Sequence, residues 1–125
     1  MERNTTQRRA IHRVLQESAR PMGPREILEA ARRHIPGLGI ATVYRTLKRC
    51  VDDGSLGQVE LPGEAPRYEV SGKNHHHHFR CRGCNRVYDV RGCPKNLGTL
   101  TPAGFRLESH DVVLYGLCME CTPAG

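Results

Sequence analysis

The 125-residue sequence contains no long apolar run, and its N-terminus has no apolar segment of the kind found in signal peptides. These absences disfavour a membrane span and secretion, so we expect a chain that works in the reducing cytoplasm. Disulfide bonds are rare in that compartment. The six cysteines are therefore expected to serve mainly as metal ligands.

Acidic residues are scarce in the first part of the chain. Residues 1–50 hold eleven Lys and Arg but four Asp and Glu, whereas the remainder is nearly neutral and the whole chain carries a net charge of +6. This imbalance predicts a polyanionic partner, such as nucleic acid, for the N-terminal part. A charged surface that is merely solvated is the alternative interpretation.

The first 72 residues carry the pattern of three helices followed by a β-hairpin. The signals are apolar residues at helical spacing, proline and glycine at element ends, and two β-prone runs around a Pro- and Gly-rich turn. The predicted helices run from Thr5 or Thr6 to about Ser18, from Pro24 to Pro36 and from Gly39 to Asp53, and the strands lie at 56–61 and 67–70. This order predicts a winged helix-turn-helix domain at residues 1–72.

Beyond a hinge at residues 72–74, helical periodicity gives way to short strand-like runs at 77–80, 86–90 and 112–117. The segment 92–104 is rich in Gly and Pro, so any helix there is expected to be short. The second domain, residues 73–125, has few large apolar side chains. We therefore expect it to need a metal ion or a partner chain in order to fold.

Two Cys-x-x-Cys pairs, Cys81 with Cys84 and Cys118 with Cys121, have the spacing of metal ligands. A two-residue gap lets both sulfurs of a pair turn inward, and two such pairs supply the four tetrahedral ligands of a structural zinc ion. Two local disulfides are disfavoured by the reducing compartment, and free core thiols are disfavoured by the repeated spacing. Cys50, on the apolar face of the third helix, is predicted to be a core residue.

Four consecutive histidines, residues 75–78, directly precede the first cysteine pair. In an extended strand they alternate, with His75 and His77 on one face and His76 and His78 on the other, so one strand could serve two metal sites. A solvated polyhistidine loop is the alternative. Imidazole with carboxylate suits zinc, iron or manganese, and a thiolate favours zinc. Nearby candidates for the remaining ligands are Glu69 and Asp89 for one site, and His110 and Cys93 for the other.

The third helix has the residue types of a recognition helix, which in this motif enters the major groove. Arginine can read guanine there, tyrosine can contact phosphate or a thymine methyl group, and other basic residues bind phosphates. The alternative is that Tyr44 packs against the wing while the arginines are merely solvated. The candidate DNA-binding residues are Arg8, Arg9, Thr42, Tyr44, Arg45, Lys48 and Arg49.

Together these motifs resemble the ferric uptake regulator family of metal-dependent bacterial repressors. The resemblance spans nearly the whole chain and implies a homodimer of α+β fold, in which a winged helix-turn-helix DNA-binding domain precedes a small C-terminal α/β dimerisation domain. The motifs that carry it are Thr5-Thr6-Gln7-Arg8, Gly39-Ile40-Ala41-Thr42-Val43-Tyr44-Arg45-Thr46-Leu47, Arg67-Tyr68-Glu69, the histidine run, Cys81-x-x-Cys84 and Tyr115-Gly116-x-Cys118-x-x-Cys121.

The same resemblance implies roles for the candidate ligands. The cysteine tetrad corresponds to the family's structural zinc site. Glu69, His76, His78 and Asp89 match the regulatory metal site at the domain hinge, and His75, His77 and His110 match an additional site in the dimerisation domain.

This sequence departs from the family pattern in three places that bear on metal binding. The cysteine that many zinc-sensing relatives carry shortly before the histidines is absent, and its place lies near Ser71. Residues 20–23 lack the histidine that many members contribute to the regulatory site from that loop. Gly92-Cys93-Pro94 replaces a region in which the family carries a glutamate on a helix. We expect Cys93 to substitute as a ligand of the additional site.

These features predict a metal-responsive transcriptional repressor of metal uptake or homeostasis genes. It is expected to bind a palindromic, A/T-rich operator when zinc or iron, or less readily manganese, fills the regulatory site. A peroxide-sensing regulator of the same family is the first alternative, because ferrous iron at a histidine and carboxylate site can promote ligand oxidation. A zinc hydrolase would not need a basic winged helix, and no motif such as H-E-x-x-H is present. A zinc-ribbon adaptor would leave the hinge carboxylates and the histidine faces unexplained.

Overall fold

The computed structural model describes residues 2–123, with side chains from residue 5 onward. The chain divides into two compact units, Met1–Lys73 and Asn74–Gly125, which we describe in turn. In chain order the described elements are α1 (Glu2–Ser18), α2 (Pro24–Ala31), α3 (Ile40–Asp52), β1 (Leu56–Val59), β2 (Arg67–Val70), β3 (His77–Cys81), β4 (Val87–Val90), a 3-10 helix (Leu97–Leu100) and β5 (Val113–Gly116). Among these residues, no helix has the length and apolar character needed to cross a membrane.

The first unit is a winged helix. Its three helices pack together and against an antiparallel hairpin of β1 and β2, in which Leu56 pairs with Val70. An isolated bridge between Met22 and Tyr68 ties the segment before α2 to the hairpin. The predicted winged helix-turn-helix is confirmed.

Helical periodicity gives this unit its core. In α3, Val43, Leu47 and Cys50 are fully buried at successive turns, which leaves the polar side of the helix towards solvent. Cys50 is thus a core residue, as predicted. Pro24 begins α2 in its first turn, where a backbone amide would have no partner within the helix, so the missing N–H carries no penalty. The Glu26 side chain accepts a hydrogen bond from the Gly23 amide at 3.4 Å and so caps the start of the helix.

Two predicted helix bounds in this unit are wrong. Helix α1 begins at Glu2, so Thr5 and Thr6 lie inside it rather than at its N-cap. Helix α2 ends at Ala31, well before Pro36. Beyond it the amides of Arg33 and His34 bond to carbonyls three residues back, as in a tighter turn.

The second unit is built on a three-stranded sheet in the order β4-β3-β5. Strands β3 and β4 form an antiparallel pair, whereas β5 returns parallel to β3, with Cys81 beside Gly116. The apolar interior is small: among the described residues of this unit, the buried side chains are His77, Cys81 and Val87. Two of these three belong to candidate metal clusters, so the interior of this unit consists largely of ligands. The mixture of a helical unit and a small sheet agrees with the predicted α+β class.

Candidate metal centres and nucleic-acid interface

The cysteine tetrad forms where the ends of β3 and β5 meet. Cys81 is the last residue of β3, Cys84 follows in a tight turn, and Cys118 and Cys121 lie in the turn after β5. Because β3 and β5 are adjacent and parallel, their C-terminal ends lie side by side and bring the two pairs together. The four Sγ atoms lie within 4.8 Å of one another, which matches the ligand set of a structural zinc site.

Backbone amides surround the Cys81 sulfur. The amides of Gly83, Cys84 and Cys118 donate to Cys81 Sγ at 3.3, 3.4 and 3.3 Å. These bonds, that of Cys118 foremost, lower the pKa of the Cys81 thiol to about 6, because they stabilise the thiolate. The thiolate form, which is the form that binds metal, is therefore available at neutral pH.

The other three thiols of the tetrad cannot all be deprotonated in the absence of a bound cation. The Cys121 amide is the main cause that lowers the pKa of Cys118, whereas contacts with Cys81 and Cys118 raise the pKa of Cys121 to about 12. Since Cys84 Sγ also lies 3.9 Å from Cys118 Sγ, four thiolates here would repel one another. A divalent cation removes this repulsion, and the donor set fits zinc.

Gly83 is the tightest point of this site. A Cβ at Gly83 would lie 2.9 Å from both Cβ and Sγ of Cys121, whereas a Cβ at Gly98 would meet nothing within 4 Å. We expect Gly83→Ala to displace Cys121 at a cost of about 1–3 kcal/mol and to weaken zinc binding at the tetrad roughly tenfold. Competition with a colorimetric zinc chelator measures this change. Gly98→Ala is the matched control, and equal zinc affinities of the two variants would contradict the prediction.

The two faces of the histidine run lead to different clusters. His76 and His78 lie beside Asp89 of β4. The Nε2 atom of His76 lies 3.5 Å from Asp89 Oδ1, and that of His78 lies 3.7 Å from the same oxygen. The cross-strand pairing of His78 with Asp89 sets this proximity. Glu69, the fourth predicted ligand, belongs to the first unit. There its Oε1 atom forms an ion pair with Lys73 Nζ at 3.2 Å.

On the opposite face, His75 and His77 lie with His110 and Cys93. The structure groups one ligand atom from each of these four residues within 4.8 Å. The Val112 amide donates to Nδ1 of the buried His77 at 3.1 Å, and this bond holds the ring. Burial lowers the pKa of His77, and His75 and His110 lower it further, so the imidazole favours its neutral, metal-binding form.

Two contributors to these clusters carried no signal in the sequence. The close approach of Gly83 to Cys121 and the bond from the Val112 amide to His77 are both set by the backbone. Neither depends on a distinctive side chain, so residue types and spacing could not reveal them.

The candidate recognition helix α3 presents a basic surface. Tyr44 is 52% exposed, which argues against the alternative that it packs on the wing. Arg45 Nη2 donates to Thr42 Oγ1 at 3.1 Å, so these two side chains act as one unit on the helix surface. Lys48 and Arg49 continue the exposed face one turn further on.

Arg8 has an internal partner. Its guanidinium lies 2.7 Å from Asp53 Oδ2 and donates to Ser55 Oγ at 3.2 Å. The pKa of Asp53 falls to about 2 because the Ser55 amide and hydroxyl and then Arg8 stabilise the carboxylate. Arg8 thus links α1 to the residue that follows α3, while its side chain remains partly exposed.

Comparison with known proteins identifies a family. A sequence profile described as the ferric uptake regulator family matches residues 2–115. The ferric uptake regulation protein of Campylobacter jejuni is 28% identical over 122 residues, which cover 94% of this chain and 78% of that protein. The solved structure of the Helicobacter pylori ferric uptake regulator, described as having three functional metal binding sites, is 26% identical with a TM-score of 0.74 and covers 94% of this chain and 81% of that chain. A zinc-bound manganese uptake regulator is 29% identical with a TM-score of 0.76, and covers 90% of this chain and 88% of that chain.

Proposed function

This chain belongs to the ferric uptake regulator family of metal-responsive transcriptional regulators, and from that premise we propose that it represses metal uptake genes when metal is plentiful. It acts in the cytoplasm on double-stranded DNA and catalyses no reaction. The cysteine tetrad holds a structural zinc ion, and a second ion at His76, His78 and Asp89 is the corepressor. Glu69 completes that ligand set by resemblance to the family.

One observation carries the proposal: a winged helix with an exposed basic recognition surface is followed at once by a metal-ligand cluster. The two compact units join at Lys73 and Asn74, and the first cluster ligand, His76, comes two residues later. An ion bound at this cluster restricts the motion of the segment that connects the two units. Metal acts by binding better to the DNA-competent form, and a coupling of about 1–3 kcal/mol changes DNA affinity 5- to 150-fold.

The exposed apolar side chains support assembly as a homodimer. Strand β5 lies at an edge of its sheet, and most of the large apolar side chains that are exposed among the described residues belong to the second unit. A second copy of the same unit can cover this surface in a symmetric contact. Two recognition helices at fixed separation then fit a palindromic, A/T-rich operator. The exposed residues concerned are Leu100, Phe105, Leu107, Leu114, Tyr115, Leu117 and Met119.

Fluorescence anisotropy on a fragment of the protein's own promoter tests this function. The chelator-treated protein is titrated with zinc and, without oxygen, with ferrous iron. We expect DNA binding to tighten with one of these metals at sub-micromolar free concentration. An affinity that neither metal changes would overturn the proposal.

Arg45 provides a residue-level test of the DNA interface. Arg45→Ala is expected to weaken operator binding about 5- to 150-fold per recognition helix, because a lost arginine contact to a base edge costs about 1–3 kcal/mol. Arg13→Ala removes the same charge from α1, where Arg13 pairs with Glu17 at 2.8 Å, and serves as the control. If the two variants bind equally well in the same anisotropy assay, α3 is not the recognition helix.

A further inference from the structure

Tyr88 of β4 and Arg86, which lies just before that strand, stand outside the motifs that carry the family resemblance. We propose that the Tyr88 hydroxyl, oriented by Arg86, donates a hydrogen bond to the Cys118 thiolate and thereby slows the loss of zinc from the cysteine tetrad. Tyr88 is then a positioning residue of the tetrad rather than a ligand. This inference rests on the structural zinc ion that is part of the proposed function.

The register of β3 and β4 places Tyr88 on the same face of the sheet as Cys81. Tyr88 is paired with Phe79, and directly paired residues project from one face. Phe79 and Cys81 are two residues apart in β3, so they share that face as well. Tyr88 and Cys81 are therefore diagonal neighbours, a separation that a long aromatic side chain can span. The phenol of Tyr88 thus extends towards the end of β3, where the tetrad lies.

Two side-chain hydrogen bonds connect Arg86, Tyr88 and Cys118 in series. The Arg86 guanidinium donates to the Tyr88 hydroxyl oxygen, and the Tyr88 hydroxyl donates to the Cys118 sulfur. A guanidinium has no acceptor, so its bond to the phenol oxygen leaves the single O–H of Tyr88 available for the sulfur. A tyrosine hydroxyl ordinarily keeps its proton up to about pH 10. The direction of both bonds is therefore fixed at neutral pH.

Arg86 is anchored to both cysteine-bearing segments. Its carbonyl accepts a hydrogen bond of 2.9 Å from the Cys81 amide. Its Nη1 atom lies 3.6 Å from Oε2 of Glu120, in the turn that carries the second cysteine pair. That ion pair is exposed and contributes little stability by itself. Together, however, the two contacts keep the guanidinium beside the tetrad, where it orients Tyr88 and adds positive charge.

The charge of a filled tetrad explains why this hydrogen bond matters. One divalent ion with four thiolates carries a double negative charge, which donors around the sulfurs must stabilise. Three backbone amides donate to Cys81, whereas Cys118 receives the Cys121 amide and the Tyr88 hydroxyl. Protons compete with zinc for a ligating thiolate. A hydrogen bond that draws charge from the Cys118 sulfur weakens that competition, so zinc leaves more slowly.

Tyr88→Phe tests the hydrogen bond, because it removes the hydroxyl and keeps the ring. The full chain is loaded with one equivalent of zinc, and release to an excess of a colorimetric chelator is followed. We expect release from Tyr88→Phe to be about tenfold faster or more, since outer partners of metal ligands are worth about 10- to 100-fold in affinity. Tyr115→Phe is the matched control, because Tyr115 is paired with Arg80 and so projects from the opposite face. Equal rates in the two variants would overturn the inference.

Cobalt in place of zinc gives a signature that a change in packing alone would not produce. The spectra are recorded in a Cys93→Ser background, where the tetrad supplies the thiolates because Cys50 is buried in the first unit. A sulfur that loses a hydrogen bond gives up an electron to Co²⁺ more readily. We therefore expect the sulfur-to-cobalt charge-transfer band of Tyr88→Phe to move to longer wavelength with its intensity retained. A band at the unchanged wavelength would show that Tyr88 does not donate to a ligand sulfur.

Arg86→Gln tests the orienting role of the guanidinium. It is expected to speed zinc release in the wild type and to add little in the Tyr88→Phe background, because residues that act through one another have non-additive effects. Arg91→Gln removes the same charge from an exposed position after β4 and is the control. If the effects of Arg86→Gln and Tyr88→Phe simply multiply, Arg86 does not act through Tyr88.

This inference and the structural zinc ion fail in different measurements. If the wild type neither retains zinc against the chelator nor gives a thiolate band with cobalt, the tetrad is not a zinc site and the inference falls with it. If the wild type does both and Tyr88→Phe matches it in release rate and band position, the zinc site stands and the role of Tyr88 falls.

Discussion

Removal of zinc from the cysteine tetrad will unfold the second unit and leave the first unit folded. The first unit has a continuous core to which all three helices and both strands contribute, with residues such as Ile11, Ile27 and Leu47 fully buried. The second unit buries few side chains among its described residues, and Cys81 is one of them. Structural zinc supplies about 10–16 kcal/mol of apparent folding free energy in small peptides, which exceeds what so small a core can provide.

Hydrogen exchange read by mass spectrometry distinguishes the two units. After treatment with a strong chelator, or in Cys81→Ala, amides of β3, β4 and β5 should exchange at nearly the unprotected rate, while those of α1, α2 and α3 keep their protection. Cys50→Ala is the control, because it removes a buried thiol without touching the tetrad. Retained protection of β3 after zinc has left the tetrad would show that the second unit folds without it.

The double variant His76→Ala/His78→Ala will bind operator DNA with an affinity that metal no longer changes. These two imidazoles share Asp89 as their neighbour, at 3.5 and 3.7 Å, so removing both leaves one carboxylate of that group in the second unit. Asp89 and the proposed ligand Glu69 then remain, and two carboxylates without imidazole hold zinc or ferrous iron far more weakly than the full ligand set. We expect the 5- to 150-fold enhancement of DNA binding by metal to disappear, while the affinity of the metal-free form is retained.

Anisotropy titrations of the variant, with and without metal, measure this loss. His34→Ala, which changes an exposed histidine of the first unit, is the matched control and should respond to metal like the wild type. Thermal unfolding of the zinc-loaded variant checks that the tetrad and the sheet remain intact. A normal metal response in the double variant would remove His76 and His78 from the regulatory site.

Much of the fold could be predicted from local patterns. The apolar face of α3, the proline that opens α2 and the two β-prone runs of the hairpin each act within a few residues, and each predicted element is present. The bounds were less predictable, because the starts and ends of helices depend on competing turns. Helix α1 begins before the threonines that look like an N-cap, and α2 stops at Ala31, after which three-residue turns mix with α-helical bonds.

The membership of the chain in the ferric uptake regulator family was also predictable, and the comparisons confirm it. That prediction rested on the order and spacing of short motifs spread over most of the chain. Such an order is far more specific than any one motif. A single Cys-x-x-Cys pair, or the basic balance of residues 1–50, would have fitted several other classes of protein.

The sequence by itself determined which residues can bind metal, which helix faces are apolar, and that neighbouring histidines on a strand point to opposite sides. Those properties follow from side-chain chemistry and from backbone periods of a few residues. Tertiary structure decided how distant residues meet, although the cysteine spacing had already indicated that the two cysteine pairs would share one site. The parallel pairing of β3 with β5 joins the two cysteine pairs, and the path of the loop after β4 brings Cys93 to His110. The packing of α1 beside the end of α3 likewise gives Arg8 its partner Asp53. The geometry of each of these contacts depends on how whole elements pack, and residue spacing along the chain does not give that packing.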